Sequence, residues 1–428
     1  MGNVIEWFDF GLFIFMAPIL GAKFFPQESA STSTIEALVV FAIGFLCRPL
    51  GGIFFGYYGD TRGRAKTLRI SILIITLSTL LVGLIPSYKD IGIIAPILFI
   101  ILRLIQGISI GGEYSGIMIY LAESASQKNR GFITSFAASG ANLGFLLATL
   151  TFILLNIFFS ADSIKEWAWR LPFLFIGIPG SLIIYYRFQL SETKVYSSLK
   201  INHLLEDMPF TTAIRFAPYQ LIKILGLTCM SSTFYYFFIG YIPTYLEHYM
   251  GFSLKVALIL QSMALIAMLF IVPLGGMCGD YFSRKKMMII TTVAILLLIF
   301  PCFYLLQSKS LVLITLAIGI ATILSSLDQG NTLTAIVENC PENVRYSGIA
   351  FSYNLGNALF GGTTPLIVTL LIENFSTTAP SYYLFFMAIV GLITATTLLS
   401  KNQSMGPIVP KPPESLTVAP LLNPETEK

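Results

Sequence analysis

The sequence predicts an all-α membrane protein whose twelve transmembrane helices form two pseudo-symmetric six-helix bundles. Two observations carry that fold class: a composition that no water-soluble chain of this length shows, and a charged hairpin that occurs twice. Of 428 residues 55% are hydrophobic and only 11% charged, with a mean hydropathy of +0.78. The bilayer is therefore the solvent. The hairpins are Gly56-Tyr57-Tyr58-Gly59-Asp60-Thr61-Arg62-Gly63-Arg64-Ala65-Lys66 and, 220 positions later, Gly276-Met277-Cys278-Gly279-Asp280-Tyr281-Phe282-Ser283-Arg284-Lys285-Lys286. Each closes one long apolar run and opens the next.

A helix needs roughly 20 residues to cross about 30 Å of hydrocarbon, and its backbone polar groups must be satisfied internally. Apolar stretches of that length place the first six spans at 3–25, 36–58, 67–86, 93–122, 132–159 and 171–188. The second six fall at 219–246, 255–279, 287–306, 311–337, 346–372 and 381–400. The domain reading is an N-terminal bundle at 1–189, a polar cytoplasmic loop at 190–218, a C-terminal bundle at 219–400 and a disordered cytoplasmic tail at 401–428. Prolines at 407, 410, 412, 413, 420 and 424 exclude a coiled coil from that tail.

Loop charge sets orientation. With both termini in the cytoplasm, 18 of the 26 Lys and Arg residues fall in cytoplasmic segments, six fall outside, and Arg48 and Arg103 lie within spans. This is the positive-inside pattern, and it turns the charged hairpins to the cytoplasm. It also accounts for the net charge of +4 without a nucleic acid partner.

Other function classes find little support. Cys47, Cys229, Cys278, Cys302 and Cys340 lack paired or metal-ligand spacing, and His203 and His248 are isolated, so neither a metal nor a cofactor is expected. Walker-type phosphate loops and nucleophile elbows are absent from the sequence, which argues against an ATP-driven pump or an enzyme.

The duplication extends beyond the hairpins. Glu113, Glu123 and Arg130 recur as Asp328, Glu338 and Arg345 at an offset of 215, and Pro18 recurs as Pro243 at an offset of 225. Two parallel six-helix repeats imply a transporter with its site between them near the midplane. The expected gate consists of Gly59, Asp60, Arg64, Glu123 and Arg130 in the first half, and Gly279, Asp280, Arg284, Glu338 and Arg345 in the second. Glycines permit close helix approach, and the aspartates can accept hydrogen bonds from a neighbouring helix N-terminus. Arg62 and Lys285 are read as setting topology only.

These residues also carry a resemblance. The hairpin pattern and Arg103-Leu104-Ile105-Gln106-Gly107 resemble signatures of the major facilitator superfamily. Gly2-Asn3-Val4-Ile5-Glu6-Trp7-Phe8-Asp9-Phe10, Arg48-Pro49-Leu50-Gly51-Gly52, Gly111-Gly112-Glu113-Tyr114, Arg345-Tyr346-Ser347-Gly348 and Gly361-Gly362-Thr363-Thr364-Pro365 are similar to its metabolite:proton symporter branch. The segment Val82-Gly83-Leu84-Ile85-Pro86-Ser87-Tyr88 resembles bacterial proline/betaine transporters. Gly140-Ala141-Asn142-Leu143-Gly144 lacks the Gly-Pro element of drug antiporters in the superfamily, which favours symport. The resemblance implies multi-pass insertion in a bacterial inner membrane, alternating access, and function as a monomer.

Coupling must reside in charges that hydrocarbon rejects at roughly 2.5–3.5 kcal/mol each. These are Glu6, Asp9, Arg48, Arg103, Glu113 and Asp328. Ten residues separate Glu113 from Glu123, so its expected depth is about 15 Å, and Asp328 sits equally far from Glu338. Arg103, Gln106, Ile110 and Glu113 share an arc of about 80°, expected to face the central cavity. The proton-coupling set is Asp9, Arg103, Glu113 and Asp328, with Asp9 paired to Arg103 as the superfamily's proton-coupled sugar carriers imply. The substrate set is Trp7, Arg48, Glu113, Tyr236, Tyr353 and Asn354. Arginine offers a carboxylate a bidentate fork, and aromatic faces can cage a quaternary ammonium. A static Arg48–Glu113 pair is the competing structural reading, and Glu6 is read as a dipole partner at the helix end. The expected function is proton symport of a zwitterionic solute such as proline or glycine betaine. A di- or tricarboxylate carrier and a non-transporting sensor are the alternatives. The expected partners are a small-molecule substrate, protons and the lipid bilayer.

Overall fold

A computed structural model describes residues 2–25, 30–398 and 405–408. Among them every regular element is helical. The first six spans are α1 (Gly2–Phe24), α2 (Ala30–Leu46 and Arg48–Arg62), α3 (Arg64–Leu84), α4 (Ile94–Ser124), α5 (Arg130–Phe158) and α6 (Ala168–Arg170, Leu171–Phe175 and Gly177–Phe188). The second six are α7 (Pro218–Tyr235, Tyr236–Tyr241, Ile242–Thr244 and Tyr245–Tyr249), α8 (Leu254–Phe282), α9 (Arg284–Leu306), α10 (Leu311–Glu338), α11 (Arg345–Gly356, Asn357–Gly361 and Thr364–Asn374) and α12 (Pro380–Thr396). Short helices at Lys194–Ile201 and Pro209–Phe216 lie in the connection between the halves.

Ten of these spans are individually long and apolar enough to cross a membrane. The other two have local causes: α2 breaks at Cys47, where Pro49 sits in the first turn of the next piece, and α12 is a 17-residue apolar helix. The segmented backbones of α7 and α11 each contain a π-helical stretch, Tyr236–Tyr241 and Asn357–Gly361. Widened turns release backbone groups, and at membrane depth that is tolerated where the chain faces protein or a cavity. Both stretches do so.

Large apolar side chains such as Phe175, Phe270, Leu297 and Tyr304 point outward, as they do where lipid rather than water surrounds the helices. Lipid tails are as apolar as leucine, so burial alone does not hold the halves together. Close packing and polar contacts do. At the hairpin end α2 lies against α11 and α5 against α8; a Cβ added to Gly56 would stand 2.6 Å from Ser347 Cα, and one added to Gly276 would strike the Gly131 carbonyl. Both hairpins turn through positive φ at equivalent places, Gly63 at 112° and Ser283 at 96°, where only glycine is unstrained.

The tail from 401 was expected to be disordered. Residues 405–408 are instead hydrogen-bonded to the end of α10 and the start of α11; the rest of 401–428 lies outside the described residues.

Candidate functional site

At the hairpin end each half caps a helix of the other. Asp60, in the last turn of α2, accepts the backbone N–H groups of Tyr346 and Ser347 at 3.0 and 2.9 Å, in the first turn of α11. Asp280, at the end of α8, accepts those of Gly131 and Phe132 at 2.8 and 2.9 Å, in the first turn of α5. A carboxylate there satisfies otherwise unpaired donors and complements the helix dipole.

Behind each aspartate stands a mirrored set of ions. Arg64 lies 3.4 Å from Asp60 and 3.3 Å from Glu123, and Arg345 reaches across from the second half to Glu123 at 2.9 Å. Arg284 lies 2.8 Å from Asp280 and 3.2 Å from Glu338, and Arg130 reaches across from the first half to Glu338 at 3.3 Å. The two glycines serve differently: a Cβ on Gly59 would enter the Tyr346 ring across the seam, whereas one on Gly279 would strike Asn331 within its own half. All ten residues named for the gate therefore converge on one layer.

The segment after α6 completes this layer, which the sequence reading did not foresee. Glu192 accepts the Arg64 backbone N–H at 3.0 Å, Thr193 Oγ1 donates to Glu123 at 2.7 Å, and Tyr196 Oη donates to the Thr61 carbonyl at 2.9 Å. Burial pushes the Tyr196 phenol above its ordinary value, so it remains a donor at neutral pH.

Deeper in the first half, Arg103 Nη1 stands 2.7 Å from Asp9 Oδ2, and Gln106 Nε2 donates to Asp9 Oδ1 at 3.2 Å and to Thr79 at 2.9 Å. The α1–α4 pair is present as expected. Glu113 differs from expectation. It faces Arg187 Nη2 and Ser71 Oγ, both at 2.5 Å, and is fully buried. The Arg48–Glu113 pair does not form, and the polar arc of α4 turns to α1, α3 and α6 instead of the cavity between the halves. The reason is Arg187, counted in sequence as a loop cation; it occupies the last turn of α6 and folds inward. Glu113→Gln should therefore cost about 3–5 kcal/mol by leaving the Arg187 charge buried and unpaired. Thermal unfolding in detergent measures this, with the accumulation ratio per folded transporter unchanged; an unshifted midpoint would show that the pair carries no stability.

Arg48 lies with its guanidinium carbon 3.8 Å from the Phe45 ring centroid and 5.7 Å from that of Phe10. It lines a small cavity with Asp9, Arg103 and Gln106. A second cavity, between the halves, is walled by the rings of Trp7, Tyr114, Tyr235, Tyr236 and Tyr353. Its polar lining comes from Asn142, Ser231, Ser232, Gln329, Thr332 and Asn357. Phe10, Phe45 and Tyr236 separate the two, at centroid distances of 5.2 and 6.1 Å.

The cage contains more rings than the sequence reading named. Trp7 meets Tyr235 edge-on at 5.8 Å and Tyr236 at 6.4 Å, while Tyr114 stacks on Tyr353 at 5.4 Å. Tyr235 and Tyr236 lie one helical turn after Ser231 and Ser232, and all four line the cavity from one face of α7. Arg48, Glu113 and Asn354 do not line it. Asn354 instead donates to the Gly111 carbonyl across the α4–α11 seam at 2.8 Å. Asp328 is buried beside the cavity, accepting from Thr332 at 3.1 Å.

Glu6 is the residue most misjudged from sequence. It is not a solvated helix-end partner: it is 1% exposed, and neither carboxylate oxygen has a hydrogen-bond partner among the described residues. It lines neither cavity, but its chain neighbour Trp7 walls the central one and Asp9, three residues on, lines the smaller one. Its position one residue before Trp7 and three before Asp9 was the available signal.

Similarity to known proteins matches this architecture. A model of the Major Facilitator Superfamily matches residues 1–361 and 228–422. The chain is 36% identical over 410 residues to the proline/betaine transporter of Escherichia coli (strain K12), covering 93% of this chain and 81% of that protein. It is 34% identical over 405 residues to the citrate-proton symporter of Klebsiella pneumoniae, covering 94% and 90%. In fold it is similar to the proton:xylose symporter XylE bound to 6-bromo-6-deoxy-D-glucose, with a TM-score of 0.76 at 17% identity over 94% of this chain and 95% of that one.

Proposed function

Since this chain belongs to the major facilitator superfamily and is one of its membrane transporters, we propose that it is a proton-coupled symporter of a small zwitterionic solute. Proline, glycine betaine and related osmolytes are its substrates, and the relative named a proline/betaine transporter supports that class. The observation that carries the reading is the central cavity. Five aromatic rings wall it, no lysine or arginine is among its described lining residues, and the buried Glu6 carboxyl, next in the chain to the cage residue Trp7, has no hydrogen-bond partner among the described residues. Ring faces and a carboxylate favour a quaternary or secondary ammonium. A multiply charged anion requires lining cations.

In this reading the protein sits in a bacterial inner membrane with its hairpin end in the cytoplasm, an orientation that the asymmetry of loop cations supports, and the capped gate is the closed inner gate. Asp9 is the proton acceptor. Protonation removes its charge, frees Arg103 and couples the small cavity to the substrate cavity through Arg48, Glu6 and the Phe10–Phe45–Tyr236 partition. Asp328 is a second buried carboxylate available to titrate from the other half, and Glu113 holds α4 to α6. Tyr353 and Asn354 place α11 against α4. The transporter works as a monomer, since both cavities and all gate residues come from one chain.

Counterflow of labelled proline, betaine and citrate in proteoliposomes separates the substrate classes. Exchange of proline or betaine with none of citrate is the expected result. The similarity to a citrate-proton symporter supports the second reading, and exchange of citrate alone would establish it.

A further inference from the structure

We propose that Met405–Ile408 is a positioning strap for Arg345, the guanidinium that closes the gate onto Glu123. Arg345 makes its crossing contact through Nη1, at 2.9 Å from Glu123. Its other donors are aimed from its own half: Nε and Nη2 at the Cys340 carbonyl, at 3.3 and 3.2 Å, and Nη2 also at the Met405 carbonyl, at 3.4 Å.

Met405 is held in turn. Its N–H donates to the Glu338 carbonyl at the end of α10, at 2.9 Å. Three residues on, Ile408 and Asn343 bond reciprocally: the Ile408 N–H donates to Asn343 Oδ1 at 2.9 Å, and Asn343 Nδ2 donates to the Ile408 carbonyl at 3.0 Å. The Ile408 side chain packs on Ala213, Leu221 and Val344. The strap thus bridges the gap between α10 and α11, and Arg345 is the first residue of α11. A guanidinium is a planar fork, so fixing two of its edges fixes the third.

The repeat supplies an independent argument. The offset of 215 that relates Glu123 to Glu338 and Arg130 to Arg345 also relates residues 190–193 to 405–408. Both segments follow the sixth helix of their half, and both return to the gate. In the first half the Leu190 carbonyl accepts from Arg69 at 2.6 Å, Glu192 caps α3, and Thr193 bonds Glu123. The second segment serves its half in the same way through backbone groups.

The test compares the full chain with a stop after Ile408, a stop after Ser404, and Met405→Pro, which removes the N–H given to Glu338. Proteoliposome uptake of labelled betaine gives KM and Vmax per inserted transporter, and peptide mass spectrometry gives the alkylation rate of the buried Cys340. A gate biased open reduces the fraction of carriers presenting the outer site, and apparent KM scales inversely with that fraction. The stop after Ser404 and Met405→Pro should raise apparent KM about three- to tenfold. Vmax should remain near that of the full chain, Cys340 should react severalfold faster, and the stop after Ile408 should match the full chain. Equal behaviour of the two truncations, or a fall in Vmax with KM and Cys340 labelling unchanged, would overturn the strap. Only the KM readout rests on the proposed solute; if betaine is not carried, Cys340 labelling still decides.

Discussion

Asp9→Asn is expected to abolish uphill accumulation of the solute while leaving counterflow. The amide keeps the size of the carboxyl and a hydrogen bond to Gln106, but it cannot carry the charge that holds Arg103 at 2.7 Å. Asparagine therefore resembles the protonated carboxyl permanently, and a carrier fixed in one protonation state can exchange solute but cannot spend a proton gradient. Removing one member of a buried pair also costs about 3–5 kcal/mol of stability through the stranded partner. Asp9→Asn with Arg103→Gln should recover the folded yield without recovering accumulation. Parallel measurement of gradient-driven uptake and counterflow checks both, and accumulation by the single variant would remove Asp9 from the coupling role.

Glu6→Gln is expected to raise the KM for betaine and proline by about 10- to 100-fold, the equivalent of the roughly 1.5–3 kcal/mol typical of a contact to a charged group. The carboxyl has no hydrogen-bond partner among the described residues and adjoins the cage residue Trp7, so a cation held by the rings is the counter-charge that favours its ionised form. Glutamine keeps the volume and loses the charge. Saturation kinetics with matched membrane abundance measures the shift, and an unchanged KM for both solutes would show that the rings alone hold the ammonium. Folding should tolerate the change, since no described ion pair breaks.

The fold was legible because membrane insertion enforces a simple rule. About 20 apolar residues per crossing and the asymmetry of loop cations depend on composition, which the sequence states directly. The gate was legible because it is duplicated: Asp60 and Asp280, and Glu123 and Glu338, identify one another at fixed offsets. The cavity was harder to read. Tyr235 lines it one helical turn after Ser231, but which face of α7 meets the other half is set by packing that one helix's periodicity does not record. Glu113 was misassigned because its partner, Arg187, sits in a last turn that resembles a loop. Glu6 was misassigned by the same assumption reversed, since its position near the start of α1 resembles a solvated end. In each case tertiary packing decided the partner, and sequence spacing along one helix does not record a neighbouring helix. The fourth residue of this kind, Met405, acts through backbone groups that no side-chain motif could reveal.

The most direct test of coupled transport is proton movement itself. Proteoliposomes holding a pH-sensitive dye, with no imposed gradient and the membrane potential clamped at zero, are given external betaine or proline, and lumenal pH is followed. The account predicts solute-dependent acidification of the lumen that disappears in Asp9→Asn and is not evoked by citrate. Counterflow of the same solute with no change in lumenal pH would contradict it.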